Sequence, residues 1–331
     1  MIICSVGIAL AFVGTVLGYF DFVTLSGRAQ NALNWTVLLA TAPALHPEVM
    51  RLAFVFLLVG YGTKAGIAPM HTWKPDAYGE APGVAGAILA GGVTSGAFLA
   101  LLRMYQICLA AGEGVFISRM LIFMGLFSMA VAGVFMLSQR DFKRMLAYSS
   151  VEHMGILALG LGIGAPALFG TLLHVIANTL TKGVLFLSAG NIHRSYGSKS
   201  TDVVQGALRR LPLSAGLFLA GFLAITGSPP FAPFISEFSI LNGAFSAGHF
   251  IAGGLFLLFL LIVFIGMGNT VLKVVQGRVP EGTELSEYHE GFLTAAPILG
   301  FMVLVLLLGL FLPAPLEALL TKAAAFLGNQ L

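Results

Sequence analysis

Charge is what this sequence has least of. Only 9% of its 331 residues are Asp, Glu, Lys or Arg, whereas 58% are apolar, and the mean hydropathy is +0.95. A soluble domain averages about a quarter charged residues, so a water-facing surface of the required area could not be covered. The same shortage excludes a disordered chain, a collagen-like chain and a nucleic-acid-binding domain. Cysteine is nearly missing too. Cys4 and Cys108 both lie in apolar runs, which leaves no disulfide framework, CxxC pair or iron–sulfur ligand set. No GxGxxG opens a nucleotide-binding fold and nothing ligates haem or flavin, so no cofactor, metal or redox centre of its own is expected. The first twenty residues lack a basic stretch and a small-residue cleavage site, and are read as a retained membrane helix rather than a signal peptide. What remains is an all-α, polytopic membrane helix bundle. The net charge of +3 says little, because position matters more than the sum.

A membrane-crossing helix needs about 20 mostly apolar residues. Nine stretches qualify, near 1–21, 49–70, 83–110, 115–137, 143–164, 166–192, 211–246, 250–275 and 291–312. Two are interrupted. The second runs into Gly66, Pro69 and Pro75, and the seventh is cut by Gly227-Ser228-Pro229-Pro230 and by Pro233. Proline removes an intrahelical donor and clashes with the preceding turn, and irregular backbone at membrane depth survives only where protein or water surrounds it. Two such interrupted helices are the pattern of a transporter built from inverted repeats. The loops after the second, fourth, sixth and eighth spans hold Lys74, Arg140, Lys143, Arg144, Arg194, Lys199, Arg209, Arg210 and Arg278, against Arg28, Arg51 and Arg119 on the other side. The positive-inside rule then puts those loops and the N-terminus in the cytoplasm. Residues 314–327 suit a short amphipathic helix lying on the surface or on a neighbour.

Ionisable side chains at membrane depth cost about 2.5–3.5 kcal/mol each on insertion scales, so each needs a reason. Lys64 lies about 20 Å along its helix from Arg51 at 1.5 Å per residue, just before the Gly66/Pro69 interruption. The carbonyl end of a broken helix favours a cation; snorkelling to the nearer interface is the alternative. His174, Asn178 and Lys182 recur every fourth residue and share one helix face. They suit either a stretch of proton wire or interhelical hydrogen bonds that only hold helices together. Glu237 follows the second break, where a resumed half-helix offers free N–H groups to a carboxylate; a plain first-turn acid is the alternative. Glu152 and His153 are either a proton uptake point or partners of Arg140 or Lys143.

These residues stand in recognisable surroundings. The stretch Lys64-Ala-Gly-Ile-Ala-Pro-Met-His-Thr-Trp-Lys-Pro-Asp-Ala-Tyr-Gly-Glu-Ala-Pro82 resembles the signature of the antiporter-like, proton-translocating membrane subunits found in respiratory complex I, Mrp antiporters and membrane-bound hydrogenases. Asp141-Phe-Lys-Arg-Met-Leu-Ala-Tyr-Ser-Ser150 with Val151-Glu-His-Met-Gly155 looks most like the component F branch of hydrogenase-4. Gly227-Ser-Pro-Pro-Phe-Ala-Pro-Phe-Ile-Ser-Glu-Phe238 is similar to the second broken helix of the same family. The resemblance implies an inverted-repeat fold in which Lys64, His174, Lys182 and Glu237 form a proton relay on a polar mid-membrane axis. It implies that about five helices of the family's fourteen precede residue 1. Residues 1–137 would then be the remnant of the first repeat and the start of the second, 138–275 the rest of the second, and 276–331 a loop, a last span and the amphipathic tail. Ser95 stands where complex I members often carry a lysine, Asn178 replaces a common histidine, and Lys74 and Tyr78 replace the usual Leu and His.

The function so implied is proton translocation within a hydrogenase-4-like or NADH:quinone oxidoreductase-like complex in the inner membrane of a prokaryote. Other membrane subunits, a soluble redox arm and the lipid bilayer would be its partners, and nucleic acid would not. Any oxidoreductase label would describe the complex rather than this chain. An Mrp-type cation/proton antiporter subunit and a non-conducting scaffold remain the alternatives.

Overall fold

The computed structural model describes residues 2–27, 30–279 and 286–328. Arg28, one of the charges weighed for orientation, and parts of the 276–331 segment lie outside the described residues. The described chain forms fifteen α-helices. They are α1 (Ile2–Ser26), α2 (Trp35–Thr41), α3 (Pro47–Ala65), α4 (Trp73–Glu80), α5 (Gly83–Ile88), α6 (Thr94–Ala110), α7 (Gly114–Leu137) and α8 (Phe142–Ile163). There follow α9 (Ala165–Tyr196), α10 (Ala207–Arg210), α11 (Pro212–Ile225), α12 (Ala232–Ser246), α13 (Phe250–Gln276), α14 (Phe292–Leu310) and α15 (Ala314–Gly328). A π turn over Leu89–Val93 joins α5 to α6 into one span.

Seven helical spans are long and apolar enough to cross a membrane. The other two of the nine expected spans are α3, which carries Glu48, Arg51 and Lys64, and the interrupted pair α11–α12. The short helix α2 between the first two spans was not anticipated. Its seven residues are too few to register as a span, and Asn34 caps it through a side-chain oxygen that accepts from the Thr36 N–H.

The chemistry of the helix ends follows the sequence. The Asp141 carboxylate accepts from the Lys143 and Arg144 N–H groups at 2.8 and 3.0 Å, an N-cap that starts α8. Helix α9 begins with Pro166 in its first turn and stops at left-handed Gly197 after His193 and Arg194, the basic end matching the helix dipole.

Polarity is turned inside out. Helix α1 buries only Gly7, Gly14, Asp21 and Phe22 and presents Phe12, Val16 and Phe20 outward, as a lipid-facing helix does. Every residue of α8 except Arg144 and Tyr148 is buried. It packs among α4, α7, α9, α12 and α13. Glu152, His153, His174, Asn178, Lys182 and Glu237 are all buried. The tail helix α15 rests on α9 and buries Leu320 and Leu327.

At the end of α1 and the start of α3, Asp21 accepts from both the His46 N–H and the His46 ring, at 2.9 and 2.7 Å. Arg51 meets Glu113 through two hydrogen bonds of 2.7 and 2.9 Å. The opposite end carries the basic loops, where Arg144 meets Asp76 at 2.8 Å and Lys199 meets Glu80 at 2.5 Å.

Candidate proton-relay site

Two backbone breaks frame the buried polar groups. At the first, α3 ends at Ala65 and Gly66 turns left-handed with φ +81°, a conformation that costs an L side chain. The Gly66 and Ile67 N–H groups both donate to the Gly62 carbonyl, at 2.7 and 2.8 Å. The Ala68 N–H donates to Ser128 Oγ on α7 at 2.9 Å, and the Trp73 indole N–H donates to the Thr63 carbonyl at 2.7 Å. The groups freed by the Gly66/Pro69 interruption thus find partners inside the protein, as membrane depth requires.

At the second break, α11 stops at Ile225 and Gly227 is left-handed with φ +68°. Pro229 and Pro230 lie in the connecting stretch, while Pro233 falls just beyond it in the first turn of α12, where a missing N–H costs nothing. The Glu237 carboxylate packs against Gly227, in the space a Cβ there would need.

Between the breaks, α8 and α9 bring their polar faces together. Ser236 Oγ donates to the Pro233 carbonyl at 2.9 Å, so its oxygen is free to accept. His174 Nδ1, 2.9 Å away, is then the donor to Ser236. That leaves His174 Nε2 as an acceptor, and His153 Nδ1 donates to it across 3.0 Å. His153 Nε2 is therefore the open acceptor of the pair, with a Glu152 oxygen 3.7 Å away. Glu237 closes the cluster, with a carboxylate oxygen and one nitrogen of each imidazole all within 4.8 Å of one another. One helical turn before His153 on α8, Ser149 Oγ accepts from Lys182 Nζ at 2.7 Å.

This assignment of tautomers gives the histidine pair a direction. A proton arriving on His153 Nε2 lets Nδ1 release its own to His174 Nε2, and His174 Nδ1 can then release one toward Ser236. The Glu152 oxygens, His153 Nε2, Asn178 Oδ1 and Glu237 Oε1 make no hydrogen bond with another protein group.

Lys64 and Ser95 lie outside this cluster. Lys64 is only partly buried and lines a groove of about 880 Å³ with Ile3, Cys4, Thr72 and Trp73, away from the histidine pair. Ser95 faces Thr179 Oγ1 at 3.2 Å. Asn178 lies on the same face as His174 and Lys182 and is buried. Glu152 and His153 do not pair with the basic loop. Arg140 faces Asp202 at 3.9 Å and Lys143 Nζ donates to the Ala81 carbonyl at 2.6 Å. Lys74, counted among the loop charges, is in fact wholly buried.

Ser149 and Ser236 went unnoticed in the sequence. Their signal was spacing: Ser149 lies three and four residues before Glu152 and His153, and Ser236 adjoins Glu237. At the basic end, the Lys199 ammonium, by hydrogen bond and by charge, holds the Glu80 carboxyl below the usual carboxylate range. Two imidazoles and a carboxylate are a donor set that zinc accepts. Here His153 and His174 already use one nitrogen each on one another, which suits proton transfer better than coordination.

A family model described as NADH:quinone oxidoreductase/Mrp antiporter, TM, matches residues 9–266. A hydrogenase-4 component F homolog from Methylacidiphilum infernorum is 35% identical over 94% of this chain and 64% of its own length. The chain thus spans less than two thirds of that relative. Among solved structures, a chain of the Mrp complex from Dietzia sp. superposes with a TM-score of 0.84 at 21% identity, covering 98% of this chain and 67% of the other; that likeness concerns the fold. A chain of respiratory complex I from Thermus thermophilus gives a TM-score of 0.80 at 25% identity, covering 98% and 68%.

Proposed function

Because this chain belongs to the NADH:quinone oxidoreductase/Mrp antiporter membrane family, we propose that it carries protons within the membrane domain of a hydrogenase-4-like or NADH:quinone oxidoreductase-like complex. The route runs along Lys182, Glu152, His153, His174 and Glu237. Its other partners are membrane subunits of that complex and the soluble arm that does the redox chemistry. The single observation that carries this reading is the hydrogen-bonded pair His153–His174, buried between Glu152 on one side and Ser236 with Glu237 on the other.

Each group has a role that its chemistry permits. Lys182 stores a proton as an ammonium and gives it up when its surroundings turn less favourable, since burial penalises the charged amine and a nearby carboxylate favours it. Glu152, 3.7 Å from His153, passes a proton to the open Nε2 as a neutral acid. The two imidazoles hand it on by exchanging tautomers, and Glu237 receives it at the second break. Rotation of side chains, or water, spans the longer gaps. Lys64, at the first break, faces the outer groove and serves as the terminal that exchanges protons with the neighbouring part of the assembly. The two interrupted elements act as counterparts in two repeats, with residues 1–137 the remnant of the first and the start of the second, 138–275 the rest of the second, and 276–331 a loop, a last span and the amphipathic tail.

The cytoplasmic face is the one bearing Arg140, Lys143, Arg144, Arg194, Lys199, Arg209, Arg210 and Arg278. Removing Lys74 and Lys143, both buried, from that tally leaves the bias over Arg28, Arg51 and Arg119 intact. The N-terminus then lies in the cytoplasm of a prokaryotic cell.

An Mrp-type exchange of sodium for protons is the second reading. The buried donor set argues against it, because sodium is a hard cation that takes oxygen ligands, whereas two of these three donors are imidazole nitrogens. Proton uptake by vesicles reconstituted with the purified complex tests both readings. Lys182→Met and Glu237→Gln are each expected to cut proton translocation more than tenfold, without dependence on sodium. Full translocation in both variants, with the complex assembled, would leave this chain a scaffold.

A further inference from the structure

Lys74 takes no part in the route above, yet it is as buried as any of its members. It has no exposed surface, and its Nζ makes no hydrogen bond with another protein group. Its aliphatic stem lies on Gly66, in the space that a Cβ at the first break would fill. Its Nζ sits 5.5 Å above the centre of the Tyr78 ring. Tyr78 packs edge-on against Phe186, with ring centroids 5.7 Å apart. Phe186 is one turn beyond Lys182 on α9, so both share a helix face. The charges of Lys74 and Lys182 repel one another. His71, from the segment between α3 and α4, also feels the charge of Lys74, and its Nδ1 has no hydrogen-bond partner. On the other side of that segment, Thr72 and Trp73 line the groove of Lys64. Lys74 therefore stands between Lys182 and the first break.

Lysine is almost never fully buried without a partner, and an apolar side chain would fill this space with no charge to desolvate. Such a group persists where its ability to gain and lose a proton is used. We propose that Lys74 is a further proton carrier, linking Lys182 on α9 to the first break and so to Lys64. The step is a plain proton transfer. By side-chain rotation or through an intervening water, the Lys182 ammonium loses one N–H bond, the Lys74 amine gains one on its lone pair, and Lys182 is left neutral. Two amines in range of each other cannot both hold a charge cheaply, so one proton is shared between them in turn. The groups facing Lys74 are His71 from the connecting segment, Lys182 from α9 and Tyr78 from its own helix; none is an acid that would pin the charge in place. The inference rests on the proton-carrying reading above.

The test measures proton translocation and thermal midpoint of the native complex carrying Lys74→Leu or Lys74→Met, with Lys182→Met as control. Both Lys74 variants should lose at least tenfold in translocation while their thermal midpoints stay at or above that of the unmodified complex. Full translocation in either assembled Lys74 variant overturns the assignment, provided Lys182→Met abolishes it. Loss of translocation together with a collapse of the midpoint in both variants makes Lys74 structural, and overturns it as well. If Lys182→Met also translocates normally, the underlying reading is what has failed.

Discussion

A hydrogen bond in this protein matters most for the direction it imposes. With Ser236 donating to Pro233, Nδ1 of His174, and then Nδ1 of His153, is the nitrogen that carries the proton. Replacing Ser236 by alanine removes the acceptor of a buried imidazole N–H, at a cost of about 1–3 kcal/mol. Ser236→Ala should therefore lower the thermal midpoint, and should slow proton translocation by releasing the tautomer of His174. At the exposed end, the pair Glu80–Lys199 gives a pH dependence of known sign. The Glu80 carboxyl is held below its ordinary range, chiefly by the Lys199 hydrogen bond. Its contribution is complete above that ordinary range and fades as pH falls through the lowered native value. Lys199→Gln should thus be slightly less stable than the unmodified protein near neutrality and converge with it in acid. Thermal midpoints recorded across that range check the point; the effect is small because the pair is exposed.

Among the elements, the broken helices carry the most consequence. Gly66→Ala places a methyl group against the Lys74 stem and forces a left-handed residue to bear a Cβ, a cost of about 1–2 kcal/mol for the backbone alone. Adding Lys74→Ala should restore the steric share and leave the backbone share, which a double-mutant cycle of thermal midpoints would separate. Most of this architecture was legible beforehand. Apolar runs of spanning length marked the helices, and glycine and proline marked both interruptions. Their observed limits at Ala65 and at Ile225–Ala232 fall where the breakers do. What stayed hidden depends on how one helix is set against another. The spacing of His174, Asn178 and Lys182 reports a shared face, but that His153 meets His174 and that Ser149 meets Lys182 depends on the register of α8 against α9. Lys74 was misplaced for a related reason. Its neighbours Thr72, Pro75 and Asp76 read as a loop, while the chain doubles back and buries the side chain beneath Gly66.

For the molecule as a whole, the uneven spread of basic residues predicts a sidedness that labelling can read. In a background with Cys4 and Cys108 replaced by serine, Asp202→Cys should react with a membrane-impermeant maleimide only from the cytoplasmic side. His249→Cys, at the opposite end beyond α12, should react only from the other; reversed labelling would invert the assigned orientation. The enclosure of α8 bears finally on biogenesis. Helix α8 is the least apolar of the seven uninterrupted spans, so an insertion machinery that reads segments singly would find it a poor substrate. Helix α7, far more apolar and in broad contact with it, is the natural escort. The two should enter the bilayer as a hairpin, and a ribosome stalled between them would leave a nascent chain that cannot commit α8 to lipid.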